Sequence, residues 1–95
     1  MIDPFEKIEI GSTGVRVTRL GMGGAPVGSQ QTVSPLYKVA SRNEGLATIA
    51  RAYELGIRYF DTAPFYGIGR SEMRYGAVLG NLPLYDFVVS TKVGR

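Results

Sequence analysis

The sequence predicts an α/β fold with a parallel sheet, and three observations support this prediction. Short apolar and β-branched segments alternate along the chain with two longer segments of helical periodicity. A serine stands at the start of each helical segment and a glycine at its end. Each helical segment also lies between two strand segments, and βαβ units of this kind are right-handed and place their strands in parallel.

Composition narrows the functions open to the chain. Its 95 residues suffice for one domain, and 44% hydrophobic with 20% charged residues is typical of a globular protein. The chain has no cysteine and no histidine. Disulfides, cysteine catalysis and the commonest zinc ligands are therefore excluded, and we expect no metal site.

The charge of the chain gives no sign of a polyanionic partner. The net charge is +3 and the pI about 9.5, but no two of the eleven basic residues are adjacent. We therefore expect neither nucleic-acid binding nor a polybasic membrane patch. No apolar run approaches the ~20 residues of a membrane span, and the first residues are acidic where a signal peptide is basic. These features predict a cytoplasmic protein without a membrane partner.

The first part of the chain predicts a β-hairpin over residues 7–18. Residues 7–10 and 15–18 alternate apolar and polar side chains, and the connector at 11–14 is rich in turn residues. A further short strand is predicted at 19–22. The stretch from 25 to 40 holds two prolines and reads as a long loop, and loops of this length are often functional.

The first helix is predicted to begin after Ser41 and to end at Gly56. Ser41 and Glu44 have the spacing of a capping box, and a glycine after the last helical turn can adopt the left-handed conformation that ends a helix. Core packing is predicted for one apolar stripe of this helix, which comprises Leu46, Ile49, Ala50 and Tyr53.

A second βαβ unit follows. Residues 57–61 and 87–92 are predicted strands, and residues 71–79 between them are a predicted helix. Ser71 is the expected N-cap of this helix and Gly80 its end. Met73 and Leu79 are expected in the core.

Three polar residues are predicted to meet at the carboxyl ends of the parallel strands, where α/β folds bind ligands. Asp61 and Lys92 end neighbouring strands, and Tyr66 lies in the loop between them. A positive charge favours the phenolate form of a tyrosine, so a tyrosine beside an ammonium group suits a general acid. The alternative is that Asp61 caps a turn, Tyr66 is an exposed loop residue and Lys92 is solvated.

The glycine-rich segment at residues 21–24 does not match a phosphate-binding loop. It lacks both the G-x-G-x-x-G pattern before a helix and the G-K-S/T pattern. Its expected use is a close approach of the backbone to a ligand or to neighbouring chain at the end of a strand.

Several motifs together resemble one known family. The string Gly-Ile-Arg-Tyr-Phe-Asp-Thr-Ala-Pro-Phe-Tyr-Gly occupies residues 56–67, and Gly-Arg-Ser-Glu follows at 69–72. These motifs resemble the aldo-keto reductase signature, and they are more similar to its aldose and pyridoxal dehydrogenase branch than to its aldose reductase branch. Further similar segments are found at residues 11–17, 19–23 and 90–92, and Gly76 is a further matching position.

The resemblance implies a fold, an activity and a set of site residues. The fold would be the N-terminal third of a (β/α)8 barrel, preceded by a hairpin at 7–18 that plugs the amino-terminal mouth. The activity would be hydride transfer between NAD or NADP and a small carbonyl, alcohol or sugar hemiacetal. Tyr66 would be the general acid/base, Lys92 would tune it, and Asp61 would pair with Lys92 near the nicotinamide ribose. Gly23 and Gly24 would border the nicotinamide.

The resemblance also implies that parts of the enzyme are missing. The family's fourth catalytic residue is a histidine, and this sequence has none. A barrel of this type needs about 250 residues, and three of its eight strands cannot close a cylinder. Two hypotheses follow: the chain is the N-terminal part of a longer oxidoreductase and inactive alone, or it is a non-enzymatic remnant that self-associates through open sheet edges.

Overall fold

The computed structural model describes residues 2–28 and 41–94, which form a hairpin and a three-stranded sheet with two helices. The sheet is parallel and its strand order is β3-β4-β5. Neither helix is long and apolar enough to cross a membrane. The elements are β1 (Lys7–Glu9), β2 (Arg16–Thr18), β3 (Met22–Gly23), α1 (Arg42–Leu55), β4 (Tyr59–Asp61), α2 (Arg70–Leu79) and β5 (Val88–Ser90).

The hairpin is confirmed, but the strand that follows it begins later than predicted. The amide of Arg19 donates to the carbonyl oxygen of Glu6 at 3.0 Å, and the amide of Leu20 donates to that of Pro4 at 2.9 Å. These bonds join residues 19 and 20 to the segment before β1, so the parallel sheet begins only at Met22. The other two parallel strands are also shorter than predicted.

Helix α1 begins and ends as the sequence predicts. The side-chain oxygen of Ser41 accepts from the amide of Glu44 at 3.2 Å, and the Glu44 carboxylate accepts from the amide of Ser41 at 3.0 Å. Gly56 ends the helix at φ 116°, a conformation that favours glycine. Before the helix, Ala25–Val27 form one 3₁₀ turn, and residues 29–40 of the predicted loop lie outside the described part.

Helix α2 differs from the prediction at its start. Its N-cap is Gly69, at φ 87°, and Ser71 lies fully buried in the first turn instead of capping it. Met73 is wrongly predicted as core, because its position in α2 leaves 70% of it exposed. Leu79 is in the core, and the amide of Gly80 caps the helix end by donating to the carbonyl oxygen of Gly76.

The core lies between one face of the sheet and the two helices. Phe60 at the centre of β4 and Ile49 of α1 are both fully buried, and the other three residues of the predicted α1 stripe are partly buried. The Phe60 ring centroid lies 5.7 Å from that of Tyr75 and 6.4 Å from that of Phe87, in edge-to-face arrangements. Because strand side chains alternate, Asp61 points to the opposite face of the sheet from Phe60.

A polar cluster ties together the amino ends of β4 and β5. The Asp86 carboxylate accepts a hydrogen bond from the Tyr53 hydroxyl. It also forms an ion pair with Arg58, whose Nε lies 3.1 Å from the carboxylate. The Arg58 guanidinium also lies 3.7 Å from the centroid of the Tyr53 ring. Two bonds join the hairpin to this cluster: Lys7 donates to the carbonyl oxygen of Asp86, and the Thr18 hydroxyl accepts from the amide of Arg58.

This cluster predicts a pH-dependent contribution to stability. The hydrogen bond from Tyr53 is the main reason that the pKa of Asp86 lies below its usual value. A lowered carboxyl pKa stabilises the fold above the unfolded-state pKa of about 4, and the stabilisation is lost as pH falls through the folded-state pKa. The variant Tyr53→Phe should therefore lower the urea midpoint more at pH 7 than at pH 3. An equal loss at both pH values would contradict this assignment.

Candidate functional site

Asp61 lies at the carboxyl end of the central strand of the sheet. It pairs with Gly23 of β3 on one side and with Ser90 of β5 on the other. The hydroxyl of Ser90 donates to the Asp61 carboxylate at 3.1 Å. The carboxylate is thus held from the neighbouring strand while 41% of its side chain stays exposed, so it can still contact other groups.

Lys92 meets Asp61 as predicted, although it lies two residues beyond the end of β5. Its Nζ donates to the two Asp61 carboxylate oxygens at 3.3 and 3.2 Å and to the carbonyl oxygen of Thr62 at 2.8 Å. Partial burial works to lower the pKa of Lys92, but its interactions with Asp61 and Tyr66 outweigh burial and raise it. The ammonium group is therefore charged and oriented, and Lys92 is not merely a solvated strand end.

Tyr66 lies over the same ammonium group. Lys92 Nζ is 4.9 Å from the centroid of the Tyr66 ring, within the range of a cation–π contact. The loop that carries Tyr66 turns sharply, with Gly67, Ile68 and Gly69 all at positive φ. Ile68 is β-branched, and at φ 51° it is the one non-glycine residue with positive φ in the described chain. Strained backbone of this kind is frequent beside functional sites.

Gly23 and Gly24 occupy different environments. Gly23 is exposed, and no described atom lies within 4 Å of where a Cβ would stand. Gly24 is buried, and a Cβ there would lie 2.6 Å from both the Asp61 carbonyl oxygen and the Ser71 side-chain oxygen. The predicted close approach of the backbone to neighbouring chain is therefore found at Gly24.

A buried hydroxyl pair under the site is absent from the sequence-based prediction. The side-chain oxygens of Thr62 and Ser71 lie 2.6 Å apart, and both residues are almost fully buried. The sequence pattern instead marks Ser71 as a helix cap. Only the packing of α2 against the end of β4 reveals the pair, because the two residues are nine positions apart in different elements.

The exposed face of the sheet has room for a flat ring beside Asp61. A groove of about 180 Å³ is lined by Gly21, Met22, Gly23, Tyr59 and Asp61. The two glycines present backbone without side chains, and the carboxylate can accept hydrogen bonds from hydroxyl groups. The groove therefore offers open backbone and one hydrogen-bond acceptor to a ligand. No cluster of metal-ligating side chains is found among the residues that the structure describes.

Comparison with known proteins gives the class of protein that this fold and site define. The profile of the aldo/keto reductase family matches residues 19–95. The chain is 45% identical over 84 residues to a D-threo-aldose 1-dehydrogenase of Pseudomonas sp. and 46% identical over 90 residues to a pyridoxal 4-dehydrogenase of Microbacterium luteolum. These alignments cover 88% and 95% of the chain. The chain belongs to the aldo/keto reductase family, and both relatives agree with the branch expected from the sequence.

Solved structures support the same fold. An aldo-keto reductase of Bacillus halodurans superposes with a TM-score of 0.77 at 28% identity, and a glycerol dehydrogenase of Gluconobacter oxydans with 0.69 at 32%. Each match covers 95% of this chain and 26% of the other. The chain likewise spans about a quarter of the length of the two curated relatives, at 24% of each. It therefore has the fold of the N-terminal part of a (β/α)8 barrel, with a hairpin before it.

Proposed function

We propose that this chain carries the proton-transfer residues of an oxidoreductase that moves hydride between NAD or NADP and a carbonyl, an alcohol or a sugar hemiacetal. The observation that supports this proposal most directly is the position of the Lys92 ammonium group. It is paired with Asp61 on one side and lies against the Tyr66 ring on the other. A charged, oriented ammonium beside a phenol is what proton transfer to a substrate oxygen requires.

Each of the three residues has one role in this mechanism. Tyr66 donates its phenolic proton to the substrate oxygen during reduction and accepts a proton from it during oxidation. Lys92 stabilises the phenolate that forms, because its positive charge lies beside the ring. Asp61 keeps the ammonium group charged and in place. A nicotinamide cofactor held in the groove beside Asp61 would supply or accept the hydride.

The groove beside Asp61 is the proposed place for the nicotinamide and its ribose, with Gly23 and Gly24 at its border. Gly23 leaves the surface there open. The names of two relatives, an aldose dehydrogenase and a pyridoxal dehydrogenase, support a small sugar or an aldehyde as the proposed substrate.

We further propose that the hairpin closes the amino-terminal mouth of the barrel, since its hydrogen bonds reach the amino ends of β4 and β5.

A chimeric enzyme, called the joined protein below, tests this proposal. Residues 1–95 would replace the corresponding segment of the Pseudomonas D-threo-aldose 1-dehydrogenase, and NAD(P)H absorbance would be followed with a panel of aldoses and aldehydes. The joined protein should turn over substrate, whereas the 95-residue chain alone should not. If the joined protein has native-like circular dichroism and binds the cofactor but shows no turnover, the proposal is wrong.

One observation favours self-association as a second candidate. Strand β5 has no partner on its outer edge among the described residues, and Val89 in this strand is 43% exposed. Exposed apolar strand edges readily pair with other chains. Sedimentation of the 95-residue chain should then show dimers or larger species, and a monomer at tens of micromolar would exclude this candidate.

A further inference from the structure

Among the residues that the structure describes, few backbone hydrogen bonds restrain the segment that carries Lys92. The last ladder bond of β5 runs from the amide of Thr62 to the carbonyl oxygen of Ser90, at 2.8 Å. Beyond it, the Thr91 hydroxyl donates to the Glu72 carboxylate at 2.6 Å. Hydrogen bonds to an ionised carboxylate are stronger than bonds between neutral groups. Glu72 thus fixes the residue immediately before Lys92.

A second contact from the same turn of α2 supports the other end of the lysine. Lys92 Nζ donates to the carbonyl oxygen of Thr62. The Thr62 side chain is bonded in turn to the buried hydroxyl of Ser71. The backbone of Ser71 also contacts the site, because its amide donates to the carbonyl oxygen of Tyr66 at 3.1 Å. Two consecutive residues of α2 therefore brace the groups around the Lys92 ammonium.

We propose that Ser71 and Glu72 are positioning residues that hold Lys92 against Asp61, acting through Thr62 and Thr91. Their value for catalysis rests on the function proposed above, whereas their effect on the lysine can be measured without turnover. Loss of either bond should let the ammonium group leave Asp61 for part of the time. Lys92 should then lose part of the interaction that keeps it protonated, and its amine should become more reactive.

Competitive acetylation of the folded chain at pH 8 measures this effect. The extent of modification at Lys92 is compared by mass spectrometry with that at Lys7, which lies in the hairpin and serves as an internal reference. The two main variants are Glu72→Ala and Thr91→Val. Thr91→Val removes the same bond and leaves the carboxylate in place. Thr48→Val is the matched control, because it removes an exposed threonine hydroxyl of α1 that donates to the Glu44 carbonyl oxygen within the same helix.

We expect each main variant to raise the ratio of Lys92 to Lys7 modification by about 3- to 10-fold, because an ammonium group that spends less time beside Asp61 loses its proton more readily. The double variant should add little to either single one, since both remove one bond. Ser71→Ala should raise the same ratio, and the control should not.

An unchanged ratio in Thr91→Val, with a native-like melting curve, would overturn the proposal even if Glu72→Ala fails to fold. A parallel rise at Lys7 and Lys92 would also overturn it, because it would show only a loss of overall stability. Failure of the hydride-transfer assay is a separate outcome, since the labelling ratio reports the lysine amine alone.

Discussion

Replacing Tyr66 with phenylalanine is expected to reduce the rate of hydride transfer by the joined protein about 10²–10⁴-fold, which is the usual contribution of a positioned general acid. The ring remains, so the cation–π contact with Lys92 and the packing of the loop are kept. Only the proton donor is lost. The measurement is kcat for aldehyde reduction, read from NAD(P)H absorbance.

The control for this variant is Tyr85→Phe. Tyr85 is 90% exposed and precedes β5, at the opposite end of the strand from the site, so the same loss of a hydroxyl should leave kcat unchanged. Cofactor binding by Tyr66→Phe, followed by fluorescence, should also remain close to that of the parent. A Tyr66→Phe protein with kcat within about 10-fold of the parent would exclude Tyr66 as the proton donor.

Replacing Gly24 with alanine should destabilise the fold by about 1–3 kcal/mol, because it over-packs a closely packed position. The added methyl group would stand 2.6 Å from the Asp61 carbonyl oxygen and from the Ser71 side-chain oxygen, and 2.7 Å from the Tyr75 ring. The carbonyl belongs to the sheet and the ring is buried, so neither can move cheaply. The urea midpoint measures the loss.

Gly23→Ala is the matched control for this substitution. No described atom lies within 4 Å of the added methyl group, so the free energy of unfolding should stay within about 0.5 kcal/mol of the parent value. Both substitutions restrict the unfolded chain in the same way, and their difference therefore isolates the packing of the folded state. Equal midpoints for the two variants would show that the end of β4 can shift to accept a side chain at Gly24.

Local chemistry alone determined much of this fold. The capping box of Ser41 and Glu44 and the left-handed Gly56 depend on residues within one or two turns of each other, and both are found as predicted. The order of strands and helices also follows from local periodicity, and parallel βαβ units bring Asp61 and Lys92 to one edge of the sheet. The pairing of these two residues could therefore be anticipated from their positions at the ends of strands.

Tertiary structure alone decided how the site is supported. Ser71 looks like a helix cap in the sequence, but a glycine at φ 87° can begin α2 two residues earlier and leave Ser71 buried against Thr62. Glu72 accepts a hydrogen bond from Thr91, which is nineteen residues away in the chain. Gly24 is closely packed only because α2 and the end of β4 meet over it. Such contacts join residues that are distant in the chain, and no local pattern encodes them. Their geometry is set by how the helices pack on the sheet.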